Sequence, residues 1–261
     1  MSAKDRKPIK FVAAGDSHGD MIDWEAADAL REFISDYRPE VRVCLGDAFD
    51  LRALRRGVDG KERQESISDD LDAGLHFLTK ILRPTVYLYG NHEDRLDAII
   101  SSELDATRRE AVQSIKDRIN REVRKAGCKT ILPYHAEQGV WRLGPVAYIH
   151  GYAHSERATV IQGQHYCSPG GALIHGHTHN LASISLTQHG SGNAFSAGCL
   201  CRKADMTYSK NRLATSRWGS GFVAGWVDGD NYKAFLVHKV GKRWIWSSDL
   251  RIYTPKQHKW G

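Results

Sequence analysis

Three features place this 261-residue chain in the α/β class. Short β-rich runs alternate with apolar residues at helical spacing through its first two-thirds. From about residue 140 the pattern turns to strands with short connections. The apolar runs also end repeatedly in glycine followed by Asp, Asn or His. One domain over 1–261, in which a βαβ half meets a strand-rich half, accounts for all three.

The elements follow in order. "IKFVAAGD" is a first strand ending at Gly-Asp, and Trp24, Ala27, Leu30, Ile34 and Tyr37 then recur at helical spacing until Pro39. "VRVCLGD" is a second strand. Ile67, Leu71, Leu75, Leu78 and Leu82 mark a helix closed by Pro84, and "TVYLYGNH" is a third strand. Val112, Ile115, Ile119 and Val123 form the stripe of a longer helix, with Gly127 as its expected C-terminal cap. "VAYIHG", "ALIHGH", "SISLT", "NAFSAG", "GFVAGWVDG", "YKAFLVHKV" and "KRWIWS" read as strands. A hairpin turn is expected at Asp228-Gly229 or Asp230-Asn231.

Composition is that of an ordinary globular chain, 41% hydrophobic and 26% charged. No run approaches the roughly 18 apolar residues of a membrane span, and the N-terminal apolar run is too short for a signal peptide. The expectation is a cytoplasmic protein without membrane association. Five cysteines cannot all pair and are expected as reduced thiols. "CLC" at 199–201 has no second cysteine pair at finger spacing. The net charge of +6 leans towards anionic partners.

The chemistry lies at five strand ends. "GDSHGD" offers Asp16 and His18, "GDAFD" offers Asp47, and "GNHED" offers Asn91 and His92. "IHG" offers His150 and "GHTH" offers His177 and His179. In open α/β sheets ligands bind beyond the carboxyl ends of the strands, so these segments are expected to converge. Carboxylates can bridge ions, while imidazole and amide oxygen complete a shell, a set suited to two divalent metals. Two such ions could hold a bridging hydroxide and clamp the oxygens of a phosphoryl displacement. His92 is the natural proton donor to the leaving oxygen. His175 reads as a hydrogen-bonded core residue, and His150 is preferred to His154 because His-Gly directly follows an apolar strand.

This ordered set resembles the calcineurin-like metallophosphoesterases: Asp-x-His, Gly-Asp, Gly-Asn-His-Glu/Asp, a lone His, then Gly-His-x-His, spanning residues 15 to 179. The resemblance implies a metallophosphoesterase-type two-sheet β-sandwich flanked by helices, in α/β/β/α layers. It implies a first metal on Asp16, His18 and His179, a second on Asn91, His150 and His177, and Asp47 bridging them. His92 would then be the general acid, oriented by Asp50, Glu93 or Asp94, with Asp50 taken into the catalytic set. Mn²⁺ is the first expectation for both ions, with Fe, Zn, Ni or Co as alternatives.

The substrate is read from charge. "GDAFDLRALRRG" keeps Asp50 but lacks the Arg-Gly that follows it in the serine/threonine phosphatase branch. Arg95, three residues past His92, could grip phosphate bidentately. Arg52, Arg55 and Arg56 follow the second motif. A basic loop at 202–221 adds Arg202, Lys203, Lys210, Arg212 and Arg217, with Tyr208 and Trp218 among them. The expected activity is hydrolysis of phosphate esters, leaning to phosphodiesters of nucleotides or nucleic acid. The alternatives are a phosphomonoesterase such as a protein phosphatase, or an inactive phosphate-binding module.

Overall fold

The computed structural model describes residues 7–57, 60, 64–187, 190, 192–205, 217–246 and 252–253. Two sheets lie face to face. The first has eight strands in the order β13-β12-β11-β10-β1-β2-β3-β4 and the second five in the order β5-β6-β7-β9-β8. In the first sheet β1 (Ile9–Ala14), β2 (Val41–Cys44), β3 (Val86–Leu88) and β4 (Thr130–Leu132) run parallel. An antiparallel flank extends from β1 through β10 (Gly221–Asp228), β11 (Asn231–Val240), β12 (Arg243–Ile245) and β13 (Ile252–Tyr253). The second sheet contains β5 (Trp141–Leu143), β6 (Val146–Ile149), β7 (Ala172–His175), β8 (Leu181–Leu186) and β9 (Gly192–Ala197).

The period of two along β1 builds two cores at once. Phe11 and Ala13 face the second sheet, meeting Tyr148, Ile174 and Phe195 in a closed inter-sheet core. Val12 and Ala14 face outward to α1 (Trp24–Tyr37), α2 (Ile67–His76) and α4 (Ala106–Lys125) through Leu30, Phe33, Leu75 and Ile119. The outer face of the second sheet carries Ala147, Ile149 and Ala194, with α5 (Ala158–Tyr166) packed over it. The layers are therefore α/β/β/α.

The helices end where local chemistry dictates. Asp23 caps α1 by accepting from the amides of Glu25 and Ala26, and Ser66 caps α2 by accepting from Asp69. The expected helix from Ile67 to Leu82 is one rod in two forms, α-helical to His76 and π-helical from Phe77 to Leu82. Gly127 ends α4 as expected: at φ +108° directly after Ala126, it donates to the Arg124 carbonyl while Cys128 donates to that of Val123. The β10–β11 hairpin pairs Asp228 with Asn231, so Gly229-Asp230 forms the turn.

Two helices lack the sequence signal expected of them. α3 (Asp94–Ser102) buries only Leu96 fully. α5 lies in the stretch read as strand-rich, and its buried face is Ala158, Thr159, Gln162 and Gly163. Small and polar residues on the inward face, with Ile161 half-exposed, leave no apolar period to read. Among the described residues no helix is long and apolar enough to cross a membrane.

Candidate metal centre

The carboxyl ends of β1, β2 and β3 and the ends of β6 and β7 meet at one edge of the sandwich. The backbone there is unusual. Asp16, His18, Asp47, His177 and His179 all have φ between 49° and 68°. This left-handed region costs an L-residue of order 1–2 kcal/mol. Among the described non-glycine residues only Arg38, Leu51 and Arg83 share it outside this set, and the two arginines cap helices. Strain concentrated on five side chains turned towards one point is a signature of a functional site. Glycine makes the turns possible: a Cβ on Gly46 (φ +97°) would lie 2.6 Å from His150 Nδ1, and one on Gly90 would overlap Asp47 Oδ1.

All seven expected metal-site residues come together. Ligand atoms of Asp16, His18 and Asp47 lie within 4.8 Å of one another, as do those of Asp47, His150 and His177. Asp47 belongs to both groups. His179 Nε2 is 3.2 Å from Asp16 Oδ1 and 3.1 Å from His18 Nε2, and Asn91 Oδ1 is 3.1 Å from His150 Nε2. Except for half-buried Asn91 and His177, the seven are buried.

The placement of hydrogens tests whether this set suits a cation. The Leu45 carbonyl can only accept, so His150 Nδ1, 2.6 Å away, donates to it. A neutral His150 then presents an Nε2 lone pair to Asn91 Oδ1 and, at 3.4 Å, to Asp47 Oδ2. His18 Nδ1 likewise faces Asp50 Oδ1 at 3.2 Å, which turns its Nε2 lone pair towards His179. Lone pairs converging on lone pairs, with His150 and His18 anchored through their far nitrogens, form an arrangement a divalent cation satisfies. The field at this edge favours positive charge, carried by a proton on His150 Nε2 where no cation displaces it. Burial opposes protonation of His150, yet the Asp47 charge raises its pKa to about 9. Burial would raise the Asp47 pKa, but His150 and His92 hold it well below the ordinary carboxylate range.

The acid beside His92 is Asp50. His92 Nδ1 donates to the Asp50 carbonyl at 2.7 Å and lies 3.1 Å from its Oδ1, leaving Nε2 turned to the cluster, 3.8 Å from Asp47 Oδ2. Burial works against the His92 cation, but Asp47 and Asp50 outweigh it and raise its pKa. Glu93 does something else. Its carboxylate accepts from the amides of Asp47, Ala48, Phe49 and Gly90 and from the Tyr87 hydroxyl, so it holds the loop carrying Asp47. Asp94 stands in the first turn of α3. Asp70, on α2, accepts from the amides of Asp50 and Leu51 and fixes the other end of that loop. No motif in the sequence marks Asp70; only the loop amides it satisfies identify it.

Other expectations fall less uniformly. Arg95 donates to the Asp50 carbonyl at 2.5 Å, beside His92. Arg52 is engaged structurally, bidentate to Asp20 at 2.6 and 2.7 Å and paired with Glu65. Arg202 donates to the carbonyls of Ile22 and Asp20, and Arg217 pairs with Glu156 at 2.8 Å. Lys210, Arg212 and Tyr208 lie outside the described residues. Trp218 packs edge-on to His179, with ring centroids 4.2 Å apart. His154 stands behind the cluster, its Nδ1 2.8 Å from His177 Nε2. His175 is satisfied by the Gly176 carbonyl and the Thr159 hydroxyl, and burial pushes its pKa down to about 4, so it is a neutral core group. Cys199 and Cys201 are free and buried, and the Cys201 thiol reaches within 4.8 Å of His18 and His179.

No family model matches the chain, and no curated protein matches it. Among solved structures it is similar to vacuolar protein sorting 29 from Cryptosporidium parvum, at 12% identity and a TM-score of 0.46. The likeness covers 95% of this chain and all of that one. The fold assignment stands on the sheet order and layers of this chain.

Proposed function

We propose that the chain is a metal-dependent phosphoesterase of the calcineurin-like type, acting on phosphodiesters of nucleotides or nucleic acid. The observation that carries this reading is the convergence of acceptor atoms from Asp16, His18, Asp47, Asn91, His150, His177 and His179, with Asp47 common to both groups. Two divalent ions, Mn²⁺ first, would be held by these residues and would supply Lewis acidity and an activated water. His92 holds its proton donor role through geometry: Nδ1 is engaged by Asp50, so Nε2 is the nitrogen that can protonate the leaving oxygen. Arg95, next to it, provides a guanidinium for a substrate phosphate. Asp50 orients both His92 and His18 and thereby links proton donor to metal ligand.

The test is hydrolysis of bis-p-nitrophenyl phosphate beside p-nitrophenyl phosphate by the Mn²⁺-loaded protein, with Asp47→Asn as control. The proposal expects preference for the diester, abolished in the variant. Preference for the monoester would replace the diesterase reading by a phosphatase. Absence of metal-dependent hydrolysis of either, with nucleotide diesters also inert, would overturn the enzyme reading.

A further inference from the structure

The segment after β9 carries the "CLC" triplet between two of the loops that form the candidate centre. Its backbone is stitched to both. Leu200 donates to the Asp16 carbonyl at 3.1 Å, and Asp23 to that of Leu200 and Arg202 to that of Met21 at 2.8 Å. On the other side Cys199 donates to the Gly219 carbonyl and Gly219 to that of His179, both at 2.9 Å. Alternation along the extended segment then decides where each side chain goes. Leu200 enters the outer core, while Cys199 and Cys201 form a separate buried cluster.

That cluster borders the candidate centre. The Cys201 sulfur and one ring nitrogen each of His18 and His179 all lie within 4.8 Å of one another. With metal–sulfur bonds of about 2.3 Å and metal–nitrogen bonds of about 2.0–2.1 Å, ligands on opposite sides of one ion stand roughly 4.4 Å apart. The triad is thus within a small shift of what a single ion spans. His18 and His179 are the two imidazoles expected on the first metal, their Nε2 atoms 3.1 Å apart. Cys201 is buried at 1% exposure, so water does not compete for its sulfur. His179 adds an independent sign. It is buried with no hydrogen-bond partner at Nδ1 among the described residues, and so lacks the far-side anchor that Asp50 gives His18. The polar contacts of its ring lie on the cluster side, to Asp16 and His18, where a cation would bind.

We propose that Cys201 is a thiolate ligand of the first metal, beside His18 and His179, so that the two ions occupy unlike sites. The ligand role rests on the metal centre of the phosphoesterase reading, whatever its ester. The sulfur gives up its proton to solvent as the metal–sulfur bond forms. A soft thiolate with two imidazoles favours Zn²⁺ or Fe²⁺ over Mn²⁺, whereas the oxygen and imidazole donors of Asp47, Asn91, His150 and His177 carry no such bias. Mn²⁺, first expected for both ions, is then the expectation for the second alone. The partners that Cys201 lacks at finger spacing are imidazoles, delivered by the ends of β1 and β7.

Cobalt substitution tests this. The chelator-treated chain, kept reduced by a phosphine under argon, is titrated with Co²⁺ while its absorption is recorded. A thiolate on Co²⁺ gives a near-ultraviolet charge-transfer band that imidazole and carboxylate do not. The band should grow with one of two bound ions and then stop. Cys201→Ser, or Cys201→Ala should serine unfold the chain, should lack the band, and Cys199→Ser should keep it. Thermal unfolding of the metal-free variants checks their folds. In competition between Zn²⁺ and Mn²⁺, read by metal analysis, Cys201→Ser should lower Zn²⁺ affinity at one site about 100-fold or more, beyond the usual cost of losing a group behind a ligand, and Mn²⁺ affinity far less. Two bound ions without a band in the unaltered chain, or a band that survives loss of Cys201, would overturn the proposal. Neither readout involves turnover. A band together with inert esters would keep the thiolate site and end the esterase, and hydrolysis without a band would do the reverse. No cobalt binding at all would overturn both.

Discussion

The two sheets contribute different chemistry to the centre. The first delivers both carboxylates, the amide and two imidazoles: Asp16, His18, Asp47, Asn91 and His92 follow β1, β2 and β3. Of the expected ligands, the second delivers imidazole alone to the candidate centre, through His150, His177 and His179 after β6 and β7. The first side is braced internally by Glu93 and Asp70, whose carboxylates tie down the amides of the 47–51 loop. The second side is braced across the gap. His150 donates to the Leu45 carbonyl, and the His177 amide donates to Asp16 at 3.0 Å. Anionic ligands thus come with their own scaffold, whereas the imidazoles are placed only when the sheets dock. A cation bound between them would fasten one sheet to the other.

The largest effect should come from the residue common to both groups. Asp47→Asn should lower turnover about 10⁴-fold or more and reduce occupancy of both ions, since one substitution disables a unit. His177→Ala should remove only one ion. Metal analysis after dialysis decides the matter, and equal losses from the two variants would end the assignment of Asp47 as the shared residue.

Next comes His92→Ala, which should lower kcat about 10²–10⁴-fold with metal content intact, most for esters with poor leaving groups. A parallel loss of metal would make His92 a ligand instead of a proton donor.

The inter-sheet core offers a paired test. Phe11 lies fully buried, edge-on to Tyr148 at 5.6 Å, while Phe33, on α1, is equally buried in the outer core against Phe222. Either Phe→Ala change should cost about 3–5 kcal/mol of stability. Only Phe11→Ala should also weaken metal affinity, because it loosens the docking of the imidazole sheet. Equal metal binding in both variants, measured by titration calorimetry, would show that the second side is as self-braced as the first.

The smallest effect concerns Asp70, whose pKa burial raises from 3.8 to about 6. A carboxyl with a folded pKa above its unfolded value binds its proton more tightly when folded. Stability therefore falls as pH rises from about 4 to about 6, by about 2–3 kcal/mol. Urea unfolding of the chelated protein should show that decline, and Asp70→Asn should lack it. Superimposable pH curves would remove Asp70 from the account.

Much of this could be read from residue order alone. Apolar runs ending in Gly-Asp, Gly-Asn-His and Gly-His-x-His name the residues that converge at the candidate centre, because strand periodicity and residue chemistry are local properties. The same holds for α1, α4 and the strands on either side of the hairpin, whose stripes and caps are written in consecutive residues. α5 escaped because its inward face is Ala, Thr, Gln and Gly, so its burial depends on fitting closely against β9 and not on its own hydrophobicity.

What folding alone decided are relations between residues far apart in the chain. Asp50, Glu93 and Asp94 were equivalent candidates beside His92 until the 47–51 loop closed over it. Then Asp50 reached His92, and Glu93 turned to the loop amides. Arg52 and Arg56 lie four residues apart in one basic run, yet one is clamped by Asp20 and the other borders an open cavity. The physical reason is common to all of these. A residue's type fixes which bonds it can make, but the partner that leaves water to make them is chosen by packing, and packing is a property of the whole chain.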